Sequence, residues 1–133
     1  MPIDKWRNFK LVIAYEGTAY HGWQVQPNGI TVQEVIQRAI GQMTEAVPVV
    51  HGSGRTDAGV HAWGQVANFQ SQTSMLASEF GRGLNALLPA DIVVRSLRET
   101  AIEFHARKAA RGKTYLYCIH NCPVDNPFTR RFS

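Results

Sequence analysis

His51-Gly52-Ser53-Gly54-Arg55-Thr56-Asp57-Ala58-Gly59-Val60-His61-Ala62 lies between two stretches of a different character. Before it, Val47 to Val50 is a short apolar run, predicted as a buried strand. After it, Gly64-Gln65-Val66-Ala67-Asn68-Phe69 alternates as a half-buried strand does. Two strands joined by a glycine-rich connection form a centre, and the elements on either side of that centre decide the fold.

Upstream, Val32, Val35, Ile36, Ala39, Ile40 and Met43 recur at spacings of three and four, which predicts one apolar helical face. Thr31 and Glu34 stand where a capping box places a hydroxyl and a carboxylate on reciprocal backbone donors. Phe9-Lys10-Leu11-Val12-Ile13-Ala14-Tyr15 is β-branched and aromatic enough to be the first strand. Downstream, Leu76, Phe80, Leu84 and Leu87 predict a second helix from about Met75 to Leu88. Gly81 and Gly83 weaken it, and Pro89 ends it. Ile92 to Leu97 follows as a strand, and Thr114 to Ile119 alternates as a last one. The first six of these elements, in the order β-α-β-β-α-β, predict an α+β, ferredoxin-like (RRM-like) sandwich, with two helices on one face of a four-stranded antiparallel sheet.

The 133 residues suit one domain, and no repeat or linker divides them. No apolar run reaches the length of a membrane span, and Met1 to Lys10 lacks a signal-peptide core. Cys118 and Cys122 are too few for a disulfide framework or a zinc site, even with His120 between them. They are taken as reduced thiols of a cytoplasmic protein, with no metal expected. The net charge of +4 favours an anionic partner. His105, Arg107, Lys108, Arg111 and Lys113 crowd the segment from Phe104 to Lys113 with no acid among them. Acids normally interrupt a solvated face, so this run points to phosphate.

Taken alone, the central loop offers a carboxylate, Asp57, two residues from a guanidinium, Arg55, on a backbone its glycines let approach a ligand. The plain alternative is a surface ion pair between the two. A phosphate loop is excluded because no Gly-Lys-Ser/Thr follows, and a dinucleotide fingerprint because the third glycine is missing and a strand comes next. The loop from Glu16 to Gly29 carries Tyr20, His21, Gly22, Trp23, Gln24 and Gln26. Its aromatics and amides could stack on and bond to bases, while Trp23 could equally be a core plug.

Arg55-Thr56-Asp57-Ala58-Gly59-Val60-His61-Ala62, with Gly64-Gln65-Val66 after it, resembles the signature of the tRNA pseudouridine synthase A (TruA) family. Tyr20 to Gln26, Thr31-Val32-Gln33, Leu84 to Pro89 with Asp91-Ile92, Phe104-His105-Ala106-Arg107 and Lys113 to Tyr117 agree in order and spacing, across nearly the whole chain. The resemblance implies an enzyme that isomerises uridine to pseudouridine in the anticodon stem-loop of tRNA, with no cofactor and no metal. Asp57 matches the catalytic aspartate. Its carboxylate could attack the sugar C1′ or the base C6, or abstract a sugar proton, and a carboxylate suits all three routes. Arg55 matches the arginine that fills the gap left by a flipped nucleotide or pairs with phosphate, and Tyr115 the tyrosine that stacks on the uracil. Thr56, His61, Gln65, Asn85, Trp23 and Gln24 are expected to bind RNA or support the cleft. His105, Arg107, Lys108, Arg111 and Lys113 are expected to hold the tRNA backbone.

Members of that family are about twice this length and are built of two similar halves, functioning as homodimers. The chain is therefore expected to be an N-terminal half, a single domain over 1–133 that isomerises uridine poorly by itself. A non-catalytic ferredoxin-like RNA-binding module is the rival reading. It does not explain an acid beside Arg55 in a site for polyanions. A hydrolase built on Asp57 and His61 lacks a Ser or Cys nucleophile nearby.

Overall fold

The computed structural model describes residues 2–109. Strand β1 (Pro2–Tyr15) leads through a single 3-10 turn (Gly17–Ala19) and a long loop to helix α1 (Val32–Thr44). Then come β2 (His51–Gly52), β3 (Ala62–Thr73), α2 (Ala77–Leu87), β4 (Ile92–Thr100) and a short helix, α3 (Ala106–Ala109). The sheet order is β2-β3-β1-β4 and every pairing is antiparallel, as the ferredoxin-like sandwich requires. The strand expected from Thr114 to Ile119 lies outside the described residues, as do both cysteines.

Alternation along β1 builds the core. Phe9, Leu11, Ile13 and Tyr15 turn to the helices and are buried, with Ala67 and Phe69 beside them on β3 and Ile92 and Val94 on β4. From the helices, Val32, Ile36 and Ile40 of α1 and Phe80 and Leu84 of α2 close over them. Phe9, Phe69 and Phe80 form a triangle with ring centroids 5.3 to 5.6 Å apart. Burying one such ring stabilises the fold by about 1.5–3 kcal/mol.

The run from Val47 to Val50 is not the buried strand its composition predicts. Val47 and Val49 are 66% and 59% exposed, and pairing begins only at His51. The reason is local. Pro48 has no N–H for a ladder. The backbone of Val50 is meanwhile satisfied by α1: its N–H donates to Gln37 Oε1 at 3.0 Å and its carbonyl accepts from Gln33 Nε2 at 2.8 Å. Only half of the capping box forms. Thr31 Oγ1 accepts from the Glu34 N–H at 3.3 Å, but the Glu34 carboxylate pairs with Arg38 at 2.8 Å. Strands β1, β3 and β4 run longer than predicted, since their polar ends alternate too weakly to register as strand.

The opposite face of the sheet is partly covered by the segment after β4, which is strapped down by two buried asparagines. Asn8 Nδ2 donates to the carbonyls of Ala101 and Phe104, both at 2.9 Å. Asn68 Oδ1 accepts the N–H of Ala106 at 2.8 Å, and the two amides join at 3.2 Å. Each would be costly to bury unpaired. Satisfied, they fix where α3 lies.

Candidate active site

The loop from Ser53 to His61 is held at both ends and in the middle. At its start, the Ser53 N–H donates to the Val66 carbonyl at 2.8 Å, and Ser53 Oγ meets Gln65 Oε1 at 3.0 Å. The Gln65 amide donates on to the Gly54 carbonyl. In the middle, the Thr56 carbonyl accepts the Trp23 N–H at 3.1 Å, and Thr56 Oγ1 bonds the Tyr15 hydroxyl at 2.8 Å. At its end, His61 Nδ1 accepts the Gly17 N–H at 2.8 Å, with the Glu16 carboxylate 3.6 Å from the same nitrogen. Burial raises the Tyr15 hydroxyl above the usual phenol range, against a smaller lowering by Thr56, so Tyr15 stays a neutral partner.

Asp57 opens a tight turn in which its carbonyl accepts the Val60 N–H at 3.1 Å. Gly59 takes φ +80 there, as the third position of a type II turn demands. The turn lifts the Asp57 side chain into solvent. Its carboxylate makes no ion pair with Arg55 and no side-chain hydrogen bond among the described residues. The surface ion pair that spacing allowed is therefore not formed.

Trp23 is a support, not a stacking surface. It is 1% exposed, packs against Tyr15 with centroids 6.2 Å apart, and hands its carbonyl to the Gln33 N–H. No face of the indole is left for a base. Gly22 backs directly onto the Thr56 carbonyl at φ +81, where any side chain would collide. Asn85 is a support of another kind. Its side chain brackets Val94 of β4, donating to the carbonyl at 2.9 Å and accepting the N–H at 2.8 Å, and so pins α2 to the edge strand.

Beside the loop lies a cavity of about 430 Å³ whose lining includes Gln24, His51, Arg55, His105 and Arg107, and no carboxylate. The edge of Trp23 and the buried Gln33 form its floor. The His51 and His105 rings lie 4.6 Å apart. Desolvation, and then the neighbouring His105, push the His51 imidazole below its usual range. His105 Nδ1 is buried with no hydrogen-bond partner among the described residues. Two arginines lining one space free of acid suit an anion. A second opening of about 340 Å³ lies on the other side of Asp57 in sequence, against Ala58, Gly59 and Tyr20. Lys108 is exposed on α3 and lines neither cavity, whereas Arg111, Lys113 and Tyr115 lie outside the described residues.

His51 and Gln33 were not singled out by sequence. The signal for Gln33 was present, since it is a polar residue within the buried arc of α1. His51 gave none until the strap brought His105 against it. Among the described residues no group of three or more His, Cys, Asp or Glu is placed to hold a metal, and no helix is long and apolar enough to cross a membrane.

The ferredoxin-like sheet thus carries a braced loop with one exposed carboxylate, and a cavity lined by two arginines, one of them from that same loop. The particular family follows from comparison. Residues 11–107 match the family model described as tRNA pseudouridine synthase, and the chain belongs to that family. It is 53% identical over 124 residues to the tRNA pseudouridine synthase A of Citrifermentans bemidjiense, covering 93% of this chain and 50% of that protein. The tRNA pseudouridine synthase A of Ruminiclostridium cellulolyticum is 49% identical over 127 residues, covering 96% and 52%. That of Geobacter sulfurreducens is 48% identical over 124 residues, covering 93% and 51%. The chain thus spans about half the length of the curated relatives it matches.

Proposed function

We propose that this chain supplies the aspartate-bearing half of an enzyme that isomerises uridine to pseudouridine in the anticodon stem-loop of tRNA. The observation that carries the proposal is the Asp57 carboxylate, exposed and unpaired on a loop that hydrogen bonds hold at Ser53, Thr56, Gly59 and His61. In a site for polyanions a carboxylate repels phosphate, so its presence needs a chemical reason.

The reaction breaks the bond between N1 and C1′, turns the base, and forms a bond from C5 to C1′. The hydrogen on C5 leaves to solvent and N1 gains one, so atoms balance with no oxidant or reductant. Asp57 acts on the sugar or the base to bring about the break between N1 and C1′, as nucleophile toward C1′ or C6 or as acceptor of a sugar proton, and is released when C5 joins C1′. Arg55 and Arg107, with His105 beside them, take the phosphates that flank the extruded nucleotide. Unstacking that nucleotide costs a few kcal/mol, which such contacts offset. Tyr115, Arg111 and Lys113 are proposed to complete the base and backbone contacts. The longer protein is proposed to act as a homodimer, and the chain alone to turn over poorly because part of the cleft belongs to the other half.

The test is tritium release from tRNA labelled at uridine C5. It is run on this chain and on a chimaera in which this chain replaces the matching half of the Citrifermentans bemidjiense relative. The chimaera is expected to release tritium and its Asp57→Ala variant is not. Release that survives Asp57→Ala would overturn the assignment. A folded chimaera that binds tRNA but releases nothing would favour the binding module.

A further inference from the structure

Trp63 is 76% exposed, the most exposed of the large apolar side chains among the described residues. It stands six positions beyond Asp57, at the first turn of the sheet away from the loop. Ala62 pairs with Tyr15 and packs on the core, so Trp63 turns to the face opposite the helices. The register slips here, with Trp63 and Gly64 both standing across from Ala14, and such a bulge re-aims a side chain. A Cβ built on Gly64 would meet Val12 and the Arg95 guanidinium, which places Arg95 on that same face. Arg95 also donates to the Trp63 carbonyl at 2.9 Å. Val93, 45% exposed, lies across from Ala14 on the other side of β1.

The charge that the strands carry onto this face has one sign. Lys10 and Arg98 are cross-strand partners on it, and Arg95 joins them. Between Arg7 and Tyr15, and throughout β3 and β4, the single acid is Glu99. It stands opposite Phe9 on the helix side and pairs with Arg7 at 2.9 Å. An apolar partner would gain nothing from three cations. A second copy of this face would bring like charges together. An unpaired RNA base offers an aromatic surface for the indole and a phosphate for the arginines.

The geometry points to Trp63 as a stacking platform for an unpaired base of the bound RNA, with Arg95 on the adjoining phosphate. This rests on the proposed RNA substrate and extends its footprint from the Asp57 loop onto the open face of the sheet. The indole contributes to affinity by stacking, so its effect is insensitive to salt. The guanidinium contributes through counterion release, so its effect is not.

The experiment measures affinity of the 133-residue chain for an anticodon-arm hairpin and for a fully paired RNA duplex of equal length, across a salt series. Trp63→Ala is expected to weaken hairpin binding about tenfold, with the duplex unchanged and the salt slope kept. Trp63→Phe is expected to restore most of the loss, and Arg95→Ala to flatten the salt slope by roughly 0.7–0.9. In a Trp6→Phe background, hairpin RNA is expected to quench tryptophan emission, since Trp23 is buried. Hairpin affinity unmoved by Trp63→Ala overturns the inference, and so does an equal loss on hairpin and duplex. A change confined to self-association on sedimentation would reassign the face to a protein partner. The two readings fail separately. Tritium release by the chimaera with no Trp63 effect removes only the platform, whereas a Trp63 effect without tritium release removes only the catalysis.

Discussion

The two loops that meet at the site look alike in sequence and do opposite things. Residues 16–31 and 53–61 both mix glycines, a histidine and polar side chains. In the first loop Tyr20 and Trp23 are buried, Tyr20 bonding Asp91 at 2.5 Å, and its backbone braces Thr56 and Gly59 of the second. In the second, Arg55, Asp57, Ala58 and Gly59 are exposed, and the loop buries almost nothing of its own. One loop is the pillar and the other is what it carries. A loop that buries so little of itself keeps one conformation only because its neighbour holds its backbone.

That division can be broken from either side. Asp57→Ala should reduce tritium release by the chimaera to background while moving the urea midpoint of this chain hardly at all, within about 0.5 kcal/mol. Trp23→Ala should do the reverse first. It empties a buried site and is expected to cost about 3–5 kcal/mol in urea unfolding, with activity falling only as folded protein is lost. If Asp57→Ala destabilised the chain as much as Trp23→Ala, the second loop would be structural too.

Smaller changes sharpen the contrast. Gly22→Ala forces a methyl against the Thr56 carbonyl at a positive φ, with an expected loss of about 1–3 kcal/mol seen in the thermal midpoint. Tyr15→Phe keeps the ring stacked on Trp23 and removes only the bond to Thr56. A cost of about 1 kcal/mol is expected, together with a lower rate as the loop loosens. A rate unchanged by Tyr15→Phe would show that the Thr56 brace is dispensable.

The smallest effect is a pH dependence. In the folded chain desolvation, and then His105, hold the His51 imidazole below its ordinary value, so between that depressed value and about 6.5 the unfolded chain binds more protons. Stability therefore rises with pH through that window and is lost as pH falls below about 6.5. His51→Gln should flatten this part of a urea-midpoint profile. A profile with the same slope in the variant would assign the dependence to another group.

How far the sequence went depends on the kind of residue. The Val32 to Met43 helix was legible because apolar spacing on a helix is a local, repeated signal, and β1 because alternation survives in Phe9, Leu11 and Ile13. The run from Val47 to Val50 failed for want of a partner. Its composition was that of a strand, but glutamines of α1 took the backbone bonds of Val50. Asp57 was marked by its loop and by the family resemblance, and its exposure is what distinguishes it from an ordinary ion pair. Trp23 and Asn85 belonged to the right blocks, yet one turned inward and the other bonded an edge strand.

Sequence by itself determined the order of the two helices with β1, β3 and β4, the faces those elements bury, and the loop on which an acid and an arginine stand. Those are properties of neighbours along the chain. Tertiary structure alone decided that the Phe104 to Arg107 block, about fifty residues from Asp57, would share a cavity with Arg55. It did so because Asn8 and Asn68, buried on the far side of the sheet, had no water to bond and took the backbone of residues 101–106 instead. A hydrogen bond enforced by burial across that distance in sequence leaves no periodicity, and only the closed fold reveals it.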